Sequence, residues 1–114
     1  MKNWYVRPVF FVKDAQKSLE FYRDTLGFTV DWNHEENGAA FVCQVTRHGF
    51  ELILNQDEAR AGRGRAFISL TEPQEAELRR YIAERGIAAS DRQWGLTVIE
   101  ILDLDQNELF FSTP

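Results

Sequence analysis

The 114-residue sequence has little of three things that often reveal a function early: cysteine, long apolar runs and an excess of positive charge. Cys43 is the only cysteine, which excludes an internal disulfide framework and a cysteine-based zinc site within one chain. Because Cys43 lies in the apolar segment "FVCQV", we expect a small buried side chain rather than a reactive thiol.

Long hydrophobic stretches are missing as well. No apolar run approaches the roughly 20 residues of a membrane-spanning helix, and the N-terminal "MKNWYVRP" lacks the apolar segment of a secretion signal. The net charge is −5, and acidic and basic residues are mixed along the chain instead of forming the basic face of a nucleic-acid-binding protein. We therefore expect a cytoplasmic protein that binds neither a membrane nor nucleic acid.

A chain of this length forms one domain, and its pattern begins with a strand followed by a helix. Residues 6–12 are β-branched and aromatic, whereas apolar residues recur at helical spacing from Asp14 onward. Asp14 is suited to accept from the free backbone N–H groups of the first helical turn, and Gly27 to end the helix in a left-handed conformation.

Three more strands are predicted in the first half, at 28–32, 39–45 and 50–55. The hairpin signal Asn37-Gly38 separates the first two, and "RHG" separates the last two. The first half therefore has the order βαβββ.

The second half repeats this order. Residues 65–71, "RAFISLT", are typical of a strand, and a helix is predicted over 73–85, closed by Gly86. Gly86 follows Gly27 by 59 residues, and the same offset carries the first strand onto 65–71 and the fourth onto 109–114. The chain is therefore predicted to contain two copies of one βαβββ unit.

We expect a single α+β domain over 1–114, with module one at about 5–56 and module two at about 65–114. Each module has a half-covered curved sheet, so two side by side would form a cupped eight-stranded mixed sheet with the helices outside. Such a cup is a natural ligand site. Residues 58–66, "EARAGRGRA", are then a solvated linker, because they match no phosphate-loop spacing.

The sequence resembles the glyoxalase, bleomycin-resistance and extradiol-dioxygenase superfamily, also called vicinal oxygen chelate proteins, and especially its bleomycin-resistance-like branch. The resemblance covers nearly the whole chain and is carried by "PVFFVKDAQKSLEFYRDTLGF", "QWG" at 93–95 and "DLDQN" at 103–107. The last is similar to the family's Asp-Pro-Asp-Gly-Asn turn, with Leu104 and Gln106 replacing proline and glycine. The resemblance implies either a divalent-metal enzyme or a metal-free protein that sequesters a ligand.

The resemblance also implies that a metal would be held by the first and fourth strands of each module. The matching positions in this chain are Arg7, Glu51, Ala66 and Phe110. A catalytic divalent ion needs at least three protein ligands, and this set offers only Glu51, even when Arg65 or Phe67 replaces Ala66. His34 and His48 lie in predicted turns, where surface histidines are common. We expect no metal and no other cofactor.

Charged residues at the expected floor of the cup form the next prediction. Arg7 and Glu51 occupy adjacent family positions, and we expect the guanidinium to neutralise the carboxylate in place of a metal ion. The alternative is that either side chain reaches solvent at a strand end. Glu100, in "VIEIL", faces the same side as Val98 and Leu102, which is either the cup or a solvent-exposed face.

The alternation of side chains along a strand predicts which face of the sheet each residue occupies. The residues expected on the cup face are Val9, Phe11, Phe110 and Ser112. Those expected under the helices are Phe10, Leu109 and Phe111. Phe110 and Trp94 have family positions that favour contact with a ligand, although an aromatic stripe is also typical of a core. The candidate ligand-binding residues are therefore Arg7, Phe11, Glu51, Trp94, Glu100, Phe110 and Ser112, and no catalytic or metal-binding residue is assigned.

Two functions from different classes follow. The first is a metal-independent protein of bleomycin-resistance type that sequesters a small organic ligand, with a role either in antibiotic resistance or in metabolism. Glu51, Glu100 and the net charge of −5 favour a cationic aromatic ligand, whereas Arg7 would favour an anionic one. The second is a glyoxalase- or dioxygenase-like lyase, isomerase or oxidoreductase acting on a small metabolite, with Glu51 or Glu100 as its acid or base.

A small cupped sheet leaves apolar edges, so we expect a homodimer. Trp4 and Tyr5, ahead of the first strand, are expected either at the interface between the two copies or over the edge of their own sheet.

Overall fold

The computed structural model describes residues 3–113 and contains two modules of the same order. The elements of the first module are β1 (Val9–Val12), α1 (Ala15–Glu20), β2 (Thr29–Glu36), β3 (Ala39–Arg47) and β4 (Phe50–Gln56). Those of the second are β5 (Arg65–Ser69), α2 (Glu72–Arg85), β6 (Ser90–Gln93), β7 (Thr97–Leu102) and β8 (Glu108–Ser112). The tandem βαβββ order predicted from the sequence is therefore confirmed.

The strands form two four-stranded sheets with the same topology, β1-β4-β3-β2 and β5-β8-β7-β6. The first and fourth strands of each module pair in parallel, and the remaining neighbours pair antiparallel. The predicted α+β class is confirmed, with the eight strands divided between two sheets rather than joined in one ladder. No helix in residues 3–113 is both long enough and apolar enough to cross a membrane.

The helix of the first module begins and ends where the sequence predicts. The Asp14 carboxylate accepts a hydrogen bond of 3.0 Å from the backbone N–H of Lys17, and α1 continues into a π-helical turn, Phe21–Thr25. Gly27 then adopts a φ of +76°, and a Cβ at this position would lie 2.6 Å from the hydroxyl of Tyr81. The left-handed backbone conformation therefore favours glycine, and a Cβ would also require the Tyr81 side chain to shift.

Both hairpins of the first sheet are closed by two residues with positive φ. Asn37 and Gly38 have φ values of 55° and 79°, and His48 and Gly49 have values of 50° and 82°. Such turns match the twist of paired strands, so β2 and β3 extend further than predicted from the sequence. β1 is shorter than predicted, because Pro8 has no backbone N–H to donate.

The hydrophobic core lies on the helix-facing sides of the two sheets and includes residues of both modules. Phe10 of β1 and Leu109 of β8 are buried, and Phe111 packs against the same cluster, as alternation predicts. Other buried members are Val12, Leu19, Tyr22, Leu52, Leu54, Ile99 and Ile101. Full burial of each large apolar side chain contributes about 1.5–3 kcal/mol to stability.

The turn at 103–107 fastens the second module to the first. The buried Asp103 carboxylate accepts hydrogen bonds of 2.9 Å from the backbone N–H groups of Asp105 and Asn107 and from the hydroxyl of Tyr22 on the first module. The Asn107 side-chain amide donates to the carbonyl of Phe11. The family-like turn forms although Gln106 has to adopt a φ of +73°.

Ionisation of this cluster is shifted by its burial. Burial raises the pKa of Asp103 above its usual value, and the hydrogen bonds from Asn107, Asp105 and Tyr22 oppose that rise. Burial and the neighbouring Asp103 charge raise the pKa of Tyr22 well above its usual value. The phenol therefore stays protonated and continues to donate its hydrogen bond at neutral pH.

Candidate ligand-binding site

Each sheet has a side that faces away from the core, and we name these sides the two open faces. The first open face carries Arg7, Phe11, Trp32, Gln44 and Glu51. The second open face carries Phe67, Trp94, Glu100, Phe110 and Ser112. The seven predicted ligand-binding residues are therefore divided between two faces. No side-chain hydrogen bond, ion pair or ring contact within residues 3–113 links one set with the other.

Three aromatic rings dominate the second open face. The centroid of Trp94 lies 4.6 Å from that of Phe110 and 6.0 Å from that of Phe67, and the planes of Trp94 and Phe67 are only 28° apart. Phe110 is 3% exposed, whereas Trp94 is 47% exposed and Phe67 is 50% exposed. Phe110 is therefore buried against Trp94, and the stacked rings of Trp94 and Phe67 are half-exposed, so the cluster offers aromatic surface to a planar group.

Phe67 is a site residue that the sequence prediction did not choose. It lies opposite Phe110 in the parallel ladder, while Ala66 pairs with Leu109 and packs against the core. The sequence left Arg65 and Phe67 open as alternatives to Ala66, and the ladder places Phe67 rather than Ala66 beside Phe110. The first strand of the second module is displaced by one residue from the offset of 59, and such a shift turns a strand's side chains to the other face.

Glu100 lies on the second open face and is paired with arginine. It is 7% exposed, and its Oε1 accepts from Arg92 Nη2 at 2.9 Å and from Arg92 Nε at 3.3 Å. Glu100 is therefore not the solvent-facing carboxylate of the alternative interpretation. Its charge is balanced by an arginine whose side chain is half-exposed and could be shared with a ligand.

Ser112 is buried at the edge of the same face. Its hydroxyl lies within hydrogen-bond distance of the carbonyl oxygens of Thr97, at 3.1 Å, and Thr113, at 3.2 Å. The single hydroxyl proton is directed to the backbone in either case.

A polar network occupies the first open face. Arg7 Nη1 donates to the Gln44 side-chain oxygen at 2.7 Å, which also accepts from the Trp32 indole at 3.3 Å. The Gln44 amide donates in turn to Asp31 at 2.9 Å, and Thr46 donates to the same carboxylate. Hydrogen bonds from Thr46 and Gln44 lower the pKa of Asp31. This face presents polar side chains, in contrast to the aromatic second face.

The predicted ion pair between Arg7 and Glu51 does not form among the described residues. Arg7 lies before the start of β1, where it is outside the hydrogen-bonded ladder, and its side chain reaches across β4 to Gln44 on β3. The guanidinium also lies 5.3 Å from the centroid of the Tyr5 ring. Gln44 is neutral, so this hydrogen bond does not compensate the positive charge of the guanidinium. Glu51 is half-buried on the neighbouring strand.

The family's metal does not fit this donor set. At the four expected positions, with Phe67 replacing Ala66, Glu51 is the only side chain of a usual metal ligand. Within residues 3–113, no three His, Cys, Asp or Glu residues are grouped so that they could hold an ion. His34 lies on β2 rather than in the predicted turn and contacts Glu36, while His48 lies in its predicted turn and contacts Glu77.

Cys43 is buried in the core, as predicted. Burial raises the pKa of its thiol to about 11, so it is protonated at neutral pH and unsuited to nucleophilic chemistry.

Solved structures of the same fold include binding proteins and an enzyme. A bleomycin-binding protein from bleomycin-producing Streptomyces verticillus, complexed with copper(II)-bleomycin, is 21% identical, with 100% of this chain and 98% of that chain aligned at a TM-score of 0.71. TnmS3, an antibiotic binding protein from Streptomyces sp. CB03234, is 20% identical, with the same coverage and TM-score. A lactoylglutathione lyase from Agrobacterium tumefaciens is 15% identical, with 97% and 94% aligned at a TM-score of 0.71.

At these identities the structural likeness establishes the fold alone. No curated protein sequence matches the chain significantly. The model of one family, described as the Glyoxalase/Bleomycin resistance protein/Dioxygenase superfamily, matches residues 4–109, which is nearly the whole sequence. The chain therefore belongs to the glyoxalase, bleomycin-resistance and dioxygenase superfamily.

Proposed function

We propose that this protein is a metal-independent binding protein that sequesters a small organic ligand with planar aromatic and cationic parts. The observation that carries the proposal is the aromatic cluster of Phe67, Trp94 and Phe110 on the second open face. The rings of Phe67 and Trp94 are half-exposed, whereas the opposite side of the same sheet is buried in the core. Each additional aromatic partner would add about 0.5–1.5 kcal/mol beyond the apolar area that it buries.

The cationic part of the ligand is inferred from one carboxylate on each open face. Glu100 lies on the same face as the aromatic cluster and is held by a single arginine, and Glu51 is half-buried on the first open face. The net charge of −5 favours encounter with a positive molecule. Two similar structures support this ligand class at the level of the fold, since they are of a bleomycin-binding protein and an antibiotic binding protein.

We further propose a homodimer in which the first open face of one copy meets the second open face of the other. The support is that the two sets of candidate residues lie on separate sheets and that an apolar segment precedes β1. In this segment Trp4 is 99% exposed, Tyr5 71% and Val6 88%. Contiguous exposed apolar residues of this kind mark an interface more often than a free surface. Sedimentation as a dimer at micromolar concentration is expected, and a monomer would contradict this arrangement.

The binding proposal is tested by calorimetric titration with metal-free bleomycin. The wild type is expected to bind at micromolar concentration or tighter, and Trp94→Ala or Phe67→Ala to weaken binding by about 1–3 kcal/mol. Leu104→Ala removes an exposed apolar side chain outside both open faces and serves as the matched control. If no cationic aromatic compound binds, and turnover of a small metabolite depends on Glu51 or Glu100, the enzyme alternative is correct.

Metal independence needs a separate test, because ligand binding alone does not reveal whether the protein carries a metal ion. Elemental analysis of the purified protein is expected to find far less than one zinc, nickel, iron or manganese per chain, since one carboxylate cannot hold a divalent ion tightly. About one ion per chain would overturn this part of the proposal.

A further inference from the structure

A cavity of about 90 Å³ lies on the helix side of the sheets, away from both open faces. It lies between α2 and strands of both modules. The apolar residues that form its walls include Phe28, Phe50, Ile68, Leu78, Ile101 and Phe111. None of the seven predicted ligand-binding residues lines it, so it is separate from the site of the proposed function.

The wall of this cavity that α2 provides is loosely packed. Of the 14 residues of α2, only Leu78 is buried, while Tyr81 and Ile82 are half-buried. A helix held by so few buried side chains can shift outward at low cost, because little apolar surface is exposed by the movement. A guest longer than the resting volume accommodates would require such an outward shift of α2.

The mouth of the cavity is charged. Arg47 donates from Nη1 to the carbonyl of Leu26 at 2.9 Å, and its guanidinium lies 4.3 Å from the centroid of the Tyr81 ring. Arg47 Nη2 is 3.8 Å from the Glu77 carboxylate, which is too long for a hydrogen bond. Glu77 instead contacts His48 at 3.1 Å.

The Nη2 edge of the Arg47 guanidinium is therefore available to a ligand. Among residues 3–113, no acceptor lies within hydrogen-bond distance of Arg47 Nη2, and the side chain is only 19% exposed. A partly desolvated guanidinium binds a carboxylate more strongly than an exposed one, and its planar donors match the two carboxylate oxygens. Glu77 is the internal competitor for this edge.

We propose that the cavity binds a short aliphatic monocarboxylate, with its hydrocarbon chain between α2 and the sheets and its carboxylate on Arg47. Most of the lining residues are apolar, and the polar ones are Arg47, His48, Ser69, Gln74 and Glu77. This mainly apolar lining favours a hydrocarbon chain. The Arg47 guanidinium selects an anionic head and fixes the orientation of the chain, and Arg85, whose guanidinium lies 4.9 Å from the centroid of the same Tyr81 ring, adds positive charge nearby. This site does not depend on the ligand of the open faces.

The test is calorimetric titration of the full chain with octanoate, and with octanol as a probe of the same length without charge. Octanoate is expected to bind more tightly than octanol. Arg47→Gln is expected to weaken octanoate binding about tenfold while leaving octanol binding unchanged, because one charge-assisted contact is lost. Glu77→Gln is expected to strengthen octanoate binding, because the competing carboxylate is removed.

Two further variants locate the bound molecule. Ile68→Phe narrows the cavity and is expected to weaken both probes, whereas Trp94→Ala on the second open face is expected to leave both unchanged. If Ile68→Phe does not fold, the opposite effects of Arg47→Gln and Glu77→Gln decide the question. The proposal is overturned if octanoate does not bind at millimolar concentration, or if Trp94→Ala abolishes binding that Arg47→Gln leaves intact.

Discussion

The two modules share one chain order but stabilise their helices by different means. In the first module, α1 and the π-helical turn after it bury Ala15, Ser18, Leu19 and Tyr22 against the sheet. In the second, α2 buries only Leu78, and its ends carry strong local signals: a reciprocal Thr71–Gln74 capping box and Gly86 in the left-handed region. Both helices are capped locally, since Asp14 caps α1, but only the first module adds several buried side chains, so α2 depends more on its capping.

The open faces of the modules differ in the same way. The first presents a hydrogen-bonded network centred on Gln44, and the second presents stacked rings centred on Trp94. The two modules therefore differ in the chemistry of their open faces, with a polar network on one and aromatic rings on the other. The comparison teaches that the repeat preserves the backbone order while each copy has its own chemistry.

The largest expected effect comes from breaking the turn that joins the modules. Asp103→Ala leaves the Tyr22 hydroxyl and two backbone N–H groups without an acceptor in the core, so we expect the free energy of unfolding to fall by about 3–5 kcal/mol. Urea unfolding at neutral pH measures this loss. Asp105→Ala, whose carboxylate accepts one hydrogen bond of 3.2 Å from Lys13, is the control and should cost much less. Equal losses would contradict the special role of Asp103.

Matched truncations of the two helices sharpen the comparison between them. Leu19→Ala in α1 removes a buried side chain and should cost about 2–4 kcal/mol, because the core cannot fully collapse onto the space. Ile82→Ala in α2 removes a half-buried side chain and should cost about 1 kcal/mol. Thermal and urea unfolding of both variants provide the measurement. A larger loss for Ile82→Ala would mean that α2 is the better packed helix.

The pH dependence of stability distinguishes the turn from the polar open face. Because burial raises the folded-state pKa of Asp103, the folded protein holds this proton more tightly than the unfolded chain does. Stability contributed by this group is therefore present at low pH and decreases as the pH rises from the ordinary value near 3.8 through the raised value. Unfolding free energies of the wild type and Asp103→Asn, measured from pH 3.5 upward, should diverge in that direction. A wild type that gains stability relative to Asp103→Asn as the pH rises contradicts this assignment.

The stability contributed by Asp31, on the first open face, changes with pH in the opposite direction. Hydrogen bonds lower its pKa, so the stability that it contributes is present above the ordinary carboxyl value and is lost as the pH falls through the lowered value.

The smallest expected effect is a gain. Gln106 adopts a φ of +73° in the turn, a conformation that costs a non-glycine residue about 1 kcal/mol or more. Gln106→Gly should therefore raise stability by about 0.5–1 kcal/mol, after the greater flexibility of glycine in the unfolded chain is subtracted. Differential scanning calorimetry measures the rise in Tm, with Leu104→Gly as the control at a neighbouring exposed position. A fall in Tm for Gln106→Gly would mean that the glutamine side chain stabilises the turn.

Most of the fold could be predicted because its signals are local. Asp14 caps a helix with its carboxylate, and Gly27 and Gly86 end helices in the left-handed conformation. Asn37-Gly38 closes a hairpin. These residues act within a few positions of themselves, so their effect is readable without a structure.

The site was harder to predict because it depends on the register between paired strands and on the length of individual side chains. A spacing measured between glycines could not reveal that the first strand of module two is displaced by one residue, which puts Phe67 rather than Ala66 on the open face. The length of the Arg7 side chain allowed it to pass over the neighbouring strand to Gln44 rather than stop at Glu51. Sequence spacing describes neither effect.

Cys43 is the one cysteine of the sequence and is buried, which makes the chain suitable for site-specific labelling. With its one thiol buried and protonated, the protein should behave toward maleimide reagents as though it contained no cysteine. A cysteine introduced at an exposed position, such as Leu104→Cys or Trp4→Cys, would then be the sole point of attachment for a spin label or a fluorophore. Distances between such labels in a solution of singly labelled chains would report directly how two copies are arranged, with no need to remove a native residue first.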